Sequence, residues 1–213
     1  VELVESAEMI PAHILTALDT YIPPLGQWLD MGRAHYMVEL ILENKPEVCV
    51  EIGSFRGQSL ITQAFAIREN NKGKIYAIDP WKVEFATEGS NDPENDEWWA
   101  KAVNLNDVHT ECMSHVWEHH LDPWVVVIRA ASQHVYQLFP KIDHLYIDGC
   151  HSEVSSCRDV DLFVPQVKGG GIVMMDDADW PTTQEALRRI SISCELVKDF
   201  GNLKVYRKTD WRP

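Results

Sequence analysis

Short apolar runs alternate along the chain with stretches whose apolar residues recur every three or four positions, a pattern of strands interleaved with amphipathic helices. The runs are Val48–Ile52, Lys74–Ile78, Val125–Ile128, Ile142–Ile147 and Ile172–Met175. After the first, Gly57 opens a helical segment with Leu60, Ile61, Ala64, Phe65 and Ile67 on one side. After the fourth, Val154, Cys157, Val160, Val164 and Val167 form one stripe. Shorter helices are predicted over Ser132–Leu138 and Pro181–Ile190, and before the first strand near 11–20 and over Arg33–Glu43, the last stopping short of Pro46. Glu195–Phe200 and Leu203–Arg207, joined by Gly201-Asn202, read as a β-hairpin.

Five strand–helix units and a hairpin predict one α/β domain over residues 1–213. Its sheet is doubly wound and seven-stranded, mostly parallel, with a C-terminal antiparallel hairpin. Residues 1–45 form a helical lead-in, and 82–121 is an insert. Within it, Lys82–Glu97 gathers Glu84, Glu88, Asp92, Glu94, Asp96 and Glu97 around Gly89, Ser90 and Pro93, and reads as irregular. It is either a solvated loop or a lid over a ligand. Trp98–His120 reads as one helix.

Composition narrows the partners. A formal net charge of −14 argues against a nucleic-acid backbone and suits a small or cationic ligand, or a divalent metal. No apolar run is long enough to cross a bilayer, and no secretory leader is visible. Five cysteines without a CxxC pair fit reduced thiols in a cytoplasmic protein, with Cys49 and Cys194 in strands. Oligomeric state is open, a homo-oligomer included.

In such sheets ligands bind beyond the carboxyl ends of the strands. Those ends read Glu51/Gly53, Asp79, Ala131/Ser132/Gln133, Asp148/His151 and Asp176/Asp177. Each is polar or glycine, which core packing does not require. Gly53 would let a ligand approach the backbone, and Ser59 lies in a first helical turn with free N–H donors. A dinucleotide site wants G-x-G-x-x-G; Gly53-Ser-Phe-Arg-Gly57 lacks the middle glycine, so a ligand without phosphates, S-adenosylmethionine, fits better.

Glu51-Ile-Gly-Ser-Phe-Arg-Gly-Gln-Ser59 resembles the first motif of class I S-adenosylmethionine-dependent methyltransferases in its catechol O-methyltransferase-like form. Ala131-Ser-Gln133 resembles that group's adenine-contacting motif. Ile78-Asp-Pro-Trp81, Ile147-Asp-Gly-Cys-His151 and Gly169–Asp177 are similar to the metal-dependent sugar O-methyltransferases of antibiotic biosynthesis, the macrocin type, and also to cephalosporin hydroxylase-like proteins. The likeness spans about residues 48–178.

The resemblance implies a Rossmann-like methyltransferase that methylates a hydroxyl of a small sugar or natural-product type molecule, assisted by Mg²⁺ or Mn²⁺. Gly53, Ser54 and Ser59 would hold the cofactor's amino-acid end, with Glu51 and Gly57 also in the cofactor site. Asp79 would take the ribose, with Trp81 beside it, and Ala131, Ser132 and Gln133 the adenine; a turn cap at Asp79 and an N-cap at Ser132 are the plainer alternatives. Asp148 would serve both cofactor and metal. Three neighbouring carboxylates, Asp148, Asp176 and Asp177, repel one another unless a cation lies between them. His151, whose unperturbed pKa is about 6.5, would be the general base, with Asp148 as its substitute. Trp81, Trp98, Trp99 and Trp117 form either an aromatic wall for the acceptor or packing under a lid. The competing readings are a hydroxylase-like enzyme and a non-catalytic cofactor-binding protein on the same fold.

Overall fold

The computed structural model describes residues 10–25, 28–89 and 92–210, and Ser90 of the acidic run lies outside them. Seven strands form one sheet: β1 Val48–Ile52, β2 Lys74–Ile78, β3 Val125–Ile128, β4 Ile142–Ile147, β5 Val167–Met175, β6 Cys194–Asp199 and β7 Lys204–Lys208. Their spatial order is β3-β2-β1-β4-β5-β7-β6. Strands β1 to β5 are parallel, and β7 pairs antiparallel with both β5 and β6. The expected hairpin forms, with its second strand inserted between β5 and its first.

The helices of the described residues are α1 Ala12–Tyr21, α2 Met31–Asn44, α3 Gln58–Asn70, α4 Val83–Ala86, α5 Pro93–Lys101, α6 Leu105–Glu118, α7 Glu153–Phe163 and α8 Gln184–Ile190. Side chains alternate along each strand, so the sheet divides the core in two. Cys49, Ala77, Tyr146, Ile172 and Met174 pack with α1, α2, α3 and α6. Val50, Ile52, Leu145, Ile147, Val173 and Met175 pack with α7 and α8. Helix α3 is buried from Gln58 to Ile67 because the sheet lies on one side and α2 on the other. Its Gln58 accepts from Leu29 N at 3.1 Å and donates to Ile22 O at 2.9 Å, which pins the lead-in over the β1 turn.

The helix expected over 98–120 is two helices. Asp92 caps α5 through the N–H groups of Glu94 and Asn95, and Pro93 occupies the first turn, where no N–H is needed. Asn104 then caps α6. The stretch 82–97, expected to be irregular, therefore holds α4 and the start of α5. The helix expected over 132–138 is a pair of 3-10 turns, Ser132–His134 and Tyr136–Leu138. No helix among the described residues is long and apolar enough to cross a membrane, and none of the five cysteines is in a disulfide.

Candidate functional site

Strand order reverses between β1 and β4, and a crevice opens at their carboxyl ends. Every parallel strand contributes to its lining. Gly53, Ser54 and Ser59 follow β1, Asp79 follows β2, and Ala131, Ser132 and Gln133 follow β3. Asp148 and His151 follow β4, and Asp176 and Asp177 follow β5.

Glu51, Gly57 and Trp81, expected with them, do not line the crevice. Alternation along β1 puts Glu51 on the side of Cys49, under α3, where it is fully buried and accepts from Gln63 Nε2 at 2.6 Å. Burial pushes it up to about 8. Trp81 belongs to the core and donates from Nε1 to Phe55 O at 2.9 Å. Gly57 adjoins Cys112, whose Sγ would lie 3.1 Å from an added Cβ.

The turn after β1 is clamped from both sides. Gly53 has φ +84°, and a Cβ there would fall 1.9 Å from the Asp148 carbonyl oxygen. The close approach that requires glycine is therefore to β4, where a ligand had been expected. On the other side, Asp79 Oδ2 accepts from Ser54 N at 3.1 Å and Phe55 N at 3.0 Å, and Oδ1 accepts from Trp81 N at 2.6 Å. Burial raises the Asp79 pKa against these three donors. Phe55, Trp81 and Asp177 all take left-handed backbone, at φ 45°, 46° and 49°. Such conformations gather where a site is held rigidly.

Opposite the turn, donor atoms of Asp148, His151 and Asp177 lie within 4.8 Å of one another. His151 Nε2 is 2.7 Å from Asp177 Oδ2 and 3.9 Å from Asp148 Oδ1. Burial opposes a charge on His151, but its bonds to Asp148 and Asp177 prevail and raise it to about 10, far from the value expected of a free imidazole. Burial also raises Asp148. The Trp180 ring stands edge-on to His151 at 4.8 Å.

Asp176, expected as a third metal ligand, stays outside this cluster. Alternation along β5 carries it, with Ile172 and Met174, toward α2. There Oδ1 accepts from Arg33 Nη1 at 3.0 Å and Oδ2 from the Tyr146 hydroxyl. Arg33 is 4% exposed and also reaches Asp30 Oδ2 at 2.6 Å and Trp28 O at 2.7 Å. The sequence reading gave Arg33 no such role, although it lies on the same helical stripe as Met37 and Ile41, where a charge needs a buried partner.

Two other features of the rim were missed or only half seen. Of the four expected tryptophans, Trp98 and Trp99 join Trp28 and Phe55 in a cluster with ring centroids 5.0 to 6.4 Å apart. Trp117 is exposed outside the lining. Glu88, after α4, receives Arg158 Nη1 at 2.9 Å and Nη2 at 2.7 Å, with Ser155 Oγ donating at 3.2 Å. These bonds hold Glu88 below the usual carboxylate range and draw the α4–α5 segment onto α7, so that Lys82, Phe85, Glu88 and Asn95 roof the crevice.

The donor set suits two kinds of guest. Ser54 and Ser59, buried hydroxyls in the lining, suit the polar end of an amino acid. Two carboxylates converging on one imidazole offer hard oxygen donors to a divalent cation.

A family described as "Methyltransferase domain" matches residues 50–178. No curated protein matches the chain. Among solved structures it is similar to PaMTH1, a methyltransferase of Podospora anserina with bound SAH, at 14% identity and TM-score 0.63, over 94% of this chain and 89% of that one. It is similar to the O-methyltransferase TomG of Streptomyces achromogenes, involved in tomaymycin synthesis and in complex with SAM, at 12% identity and TM-score 0.63, over 94% and 92%. An O-methyltransferase of Bacillus cereus in complex with SAH gives 11% identity and TM-score 0.61, over 94% and 93%. At these identities the likeness speaks for the fold.

Proposed function

The chain belongs to the methyltransferase-domain family, and from that premise we propose that it transfers a methyl group from S-adenosylmethionine to a hydroxyl oxygen of a small molecule, assisted by Mg²⁺ or Mn²⁺. The observation that carries this reading is the meeting of the β1 turn and the Asp148–His151–Asp177 cluster in one crevice. TomG and the Bacillus cereus protein are named as O-methyltransferases, which supports oxygen as the acceptor atom.

Gly53, Ser54 and Ser59 would take the amino-acid end of the donor, Asp79 the ribose hydroxyls, and Ala131, Ser132 and Gln133 the adenine. When bound, the donor supplies a methyl on a positively charged sulfur. Asp148 and Asp177 would hold the cation, with His151 beside them; a divalent ion there supplies charge that makes a nearby hydroxyl more acidic. Without a cation the two carboxylates hold a proton on His151; with a cation on Asp148 and Asp177 that hold would be released, and Nε2 would be free to accept the proton that leaves the acceptor hydroxyl. Trp180 fixes the imidazole from the side, and the Trp28–Phe55–Trp98–Trp99 cluster screens the crevice from water. Alignment of acceptor and methyl is the protein's main contribution to rate.

Calorimetric titration with S-adenosylhomocysteine, with and without Mg²⁺, tests both halves. Wild type binds the nucleoside and the ion, and Asp177→Asn loses the ion while keeping the nucleoside. No heat with the nucleoside sinks the methyltransferase reading. Full methyl transfer from labelled donor in the presence of chelator sinks the metal.

A further inference from the structure

Asp159 has no part in that scheme, yet it is the most unusual side chain of α7. Seven residues after the Ser152 cap, it is 5% exposed on the face that carries Val160 and Phe163 into the core. A carboxylate placed there needs donors. One oxygen, Oδ1, accepts from Ser132 Oγ. The charge of neighbouring Arg158 favours the Asp159 carboxylate through space, but its guanidinium hydrogen-bonds to both oxygens of Glu88 rather than to Asp159. Among the described residues Oδ2 accepts no hydrogen bond, and Asp159 lines the crevice together with Ser132 and Gly149.

Gly149 keeps the way to that oxygen open. A Cβ at this position would lie 3.1 Å from Asp159 Oδ2, so the bare backbone leaves room beside the carboxylate. Burial pushes Asp159 up to about 6, with the Ser132 bond working against that rise. Near neutral pH it is largely an acceptor, one that gains from a further N–H.

We infer that Asp159 is a specificity-determining residue of the cofactor site, whose free oxygen accepts the exocyclic N–H of an adenine seated against Ala131–Gln133. The inference rests on the reading of the crevice as a site for S-adenosylmethionine. The Ser132 bond fixes one oxygen and so aims the other. A base carrying a carbonyl in place of the amine sets two acceptors against each other, and a site built for a donor rejects such an analogue strongly.

The test compares S-adenosylhomocysteine with S-inosylhomocysteine by calorimetry on the whole chain, in wild type and in Asp159→Asn. The asparagine keeps an oxygen for Ser132 and offers an N–H where the free oxygen was. Wild type should favour the adenosyl ligand by about tenfold or more, and the variant should shift the ratio of dissociation constants toward the inosyl ligand by about tenfold. An unchanged ratio overturns the proposal and leaves Asp159 as a tie between α7 and the loop after β3. Should the variant fail to fold, wild type is titrated with the adenosyl ligand dimethylated on its exocyclic nitrogen. Binding about tenfold weaker supports the proposal, and equal binding overturns it. No binding of any of these ligands to wild type overturns the cofactor reading itself, a result distinct from an unchanged ratio.

Discussion

Arg33 and Asp176, 143 residues apart in the chain, meet at 3.0 Å with both side chains almost wholly buried. The contact joins the lead-in helix to the end of β5 and draws Asp176 away from the Asp148–His151–Asp177 cluster. It also fixes Trp28, whose carbonyl shares the same guanidinium.

Removing one partner of such a pair leaves an uncompensated charge in the core. Arg33→Met should lower stability by about 3–5 kcal/mol in urea unfolding, and adding Asp176→Asn should restore much of the loss. Strictly additive losses in the double variant would show that the two groups do not depend on each other.

Gly53 is constrained by its neighbour as well as by its own backbone. Gly53→Ala should cost about 4 kcal/mol or more, because the new carbon collides with the Asp148 carbonyl. Gly170 has a similar φ of +78° but nothing within 4 Å of an added Cβ. Gly170→Ala should therefore cost only about 1 kcal/mol, the backbone share alone. Equal losses in thermal unfolding would refute the steric account.

Two buried groups should pull stability in opposite directions as pH changes, cancelling in part between about 4.5 and 6.5 and leaving a fall from there toward 8. His144 is buried, and burial pushes it down to about 4. The unfolded chain titrates this ring near 6.5, so it takes up a proton that the folded chain refuses, and stability drops as pH falls through that window, by about 3 kcal/mol. Glu51 acts with the opposite sign: its folded value of about 8 lies above the ordinary 4.5, so the folded chain keeps a proton that the unfolded chain releases. Its contribution is lost as pH rises from 4.5 toward 8. In urea unfolding at several pH values, His144→Leu should remove the limb that rises from about 4 to 6.5, and Glu51→Gln the limb that falls from about 4.5 to 8. Limbs unchanged by these substitutions would assign the pH dependence to other groups.

The Glu88–Arg158 pair holds the roof of the crevice to α7. Glu88→Gln should speed release of a bound nucleoside by about fivefold, the scale of a partly exposed ion pair. Stopped-flow tryptophan fluorescence reads this directly, since Trp28, Trp98 and Trp99 stand at the rim. A release rate equal to that of wild type would mean that the roof does not govern exit.

The parallel strands were legible because each carries a short apolar run ending at a polar residue, and the crevice was legible for the same reason. Asp92-Pro93 is a helix-start signal that the crowd of acids around it obscured. The Arg33 signal was also present, but only as an arginine on an apolar stripe; nothing local names Asp176 as its partner. Asp159 and Ser132 pair across 27 residues, a contact set by how the loop after β3 lies on α7. Asp176 and Asp177 looked alike in the sequence, yet one residue along the chain decides which face of the sheet a carboxylate reaches, and Asp176 meets Arg33 and Tyr146.

The insertion of β7 between β5 and β6 has a consequence for how the molecule is made. Strand β6 leaves the ribosome first, yet β7, its neighbour in the sheet, is synthesised after it. Until Lys204–Lys208 is available, β5 presents an open edge and Cys194–Asp199 has no ladder to join. The parallel half of the sheet can assemble during translation, whereas closure of this flank waits for β7, and the nascent chain is most open to mispairing in that interval.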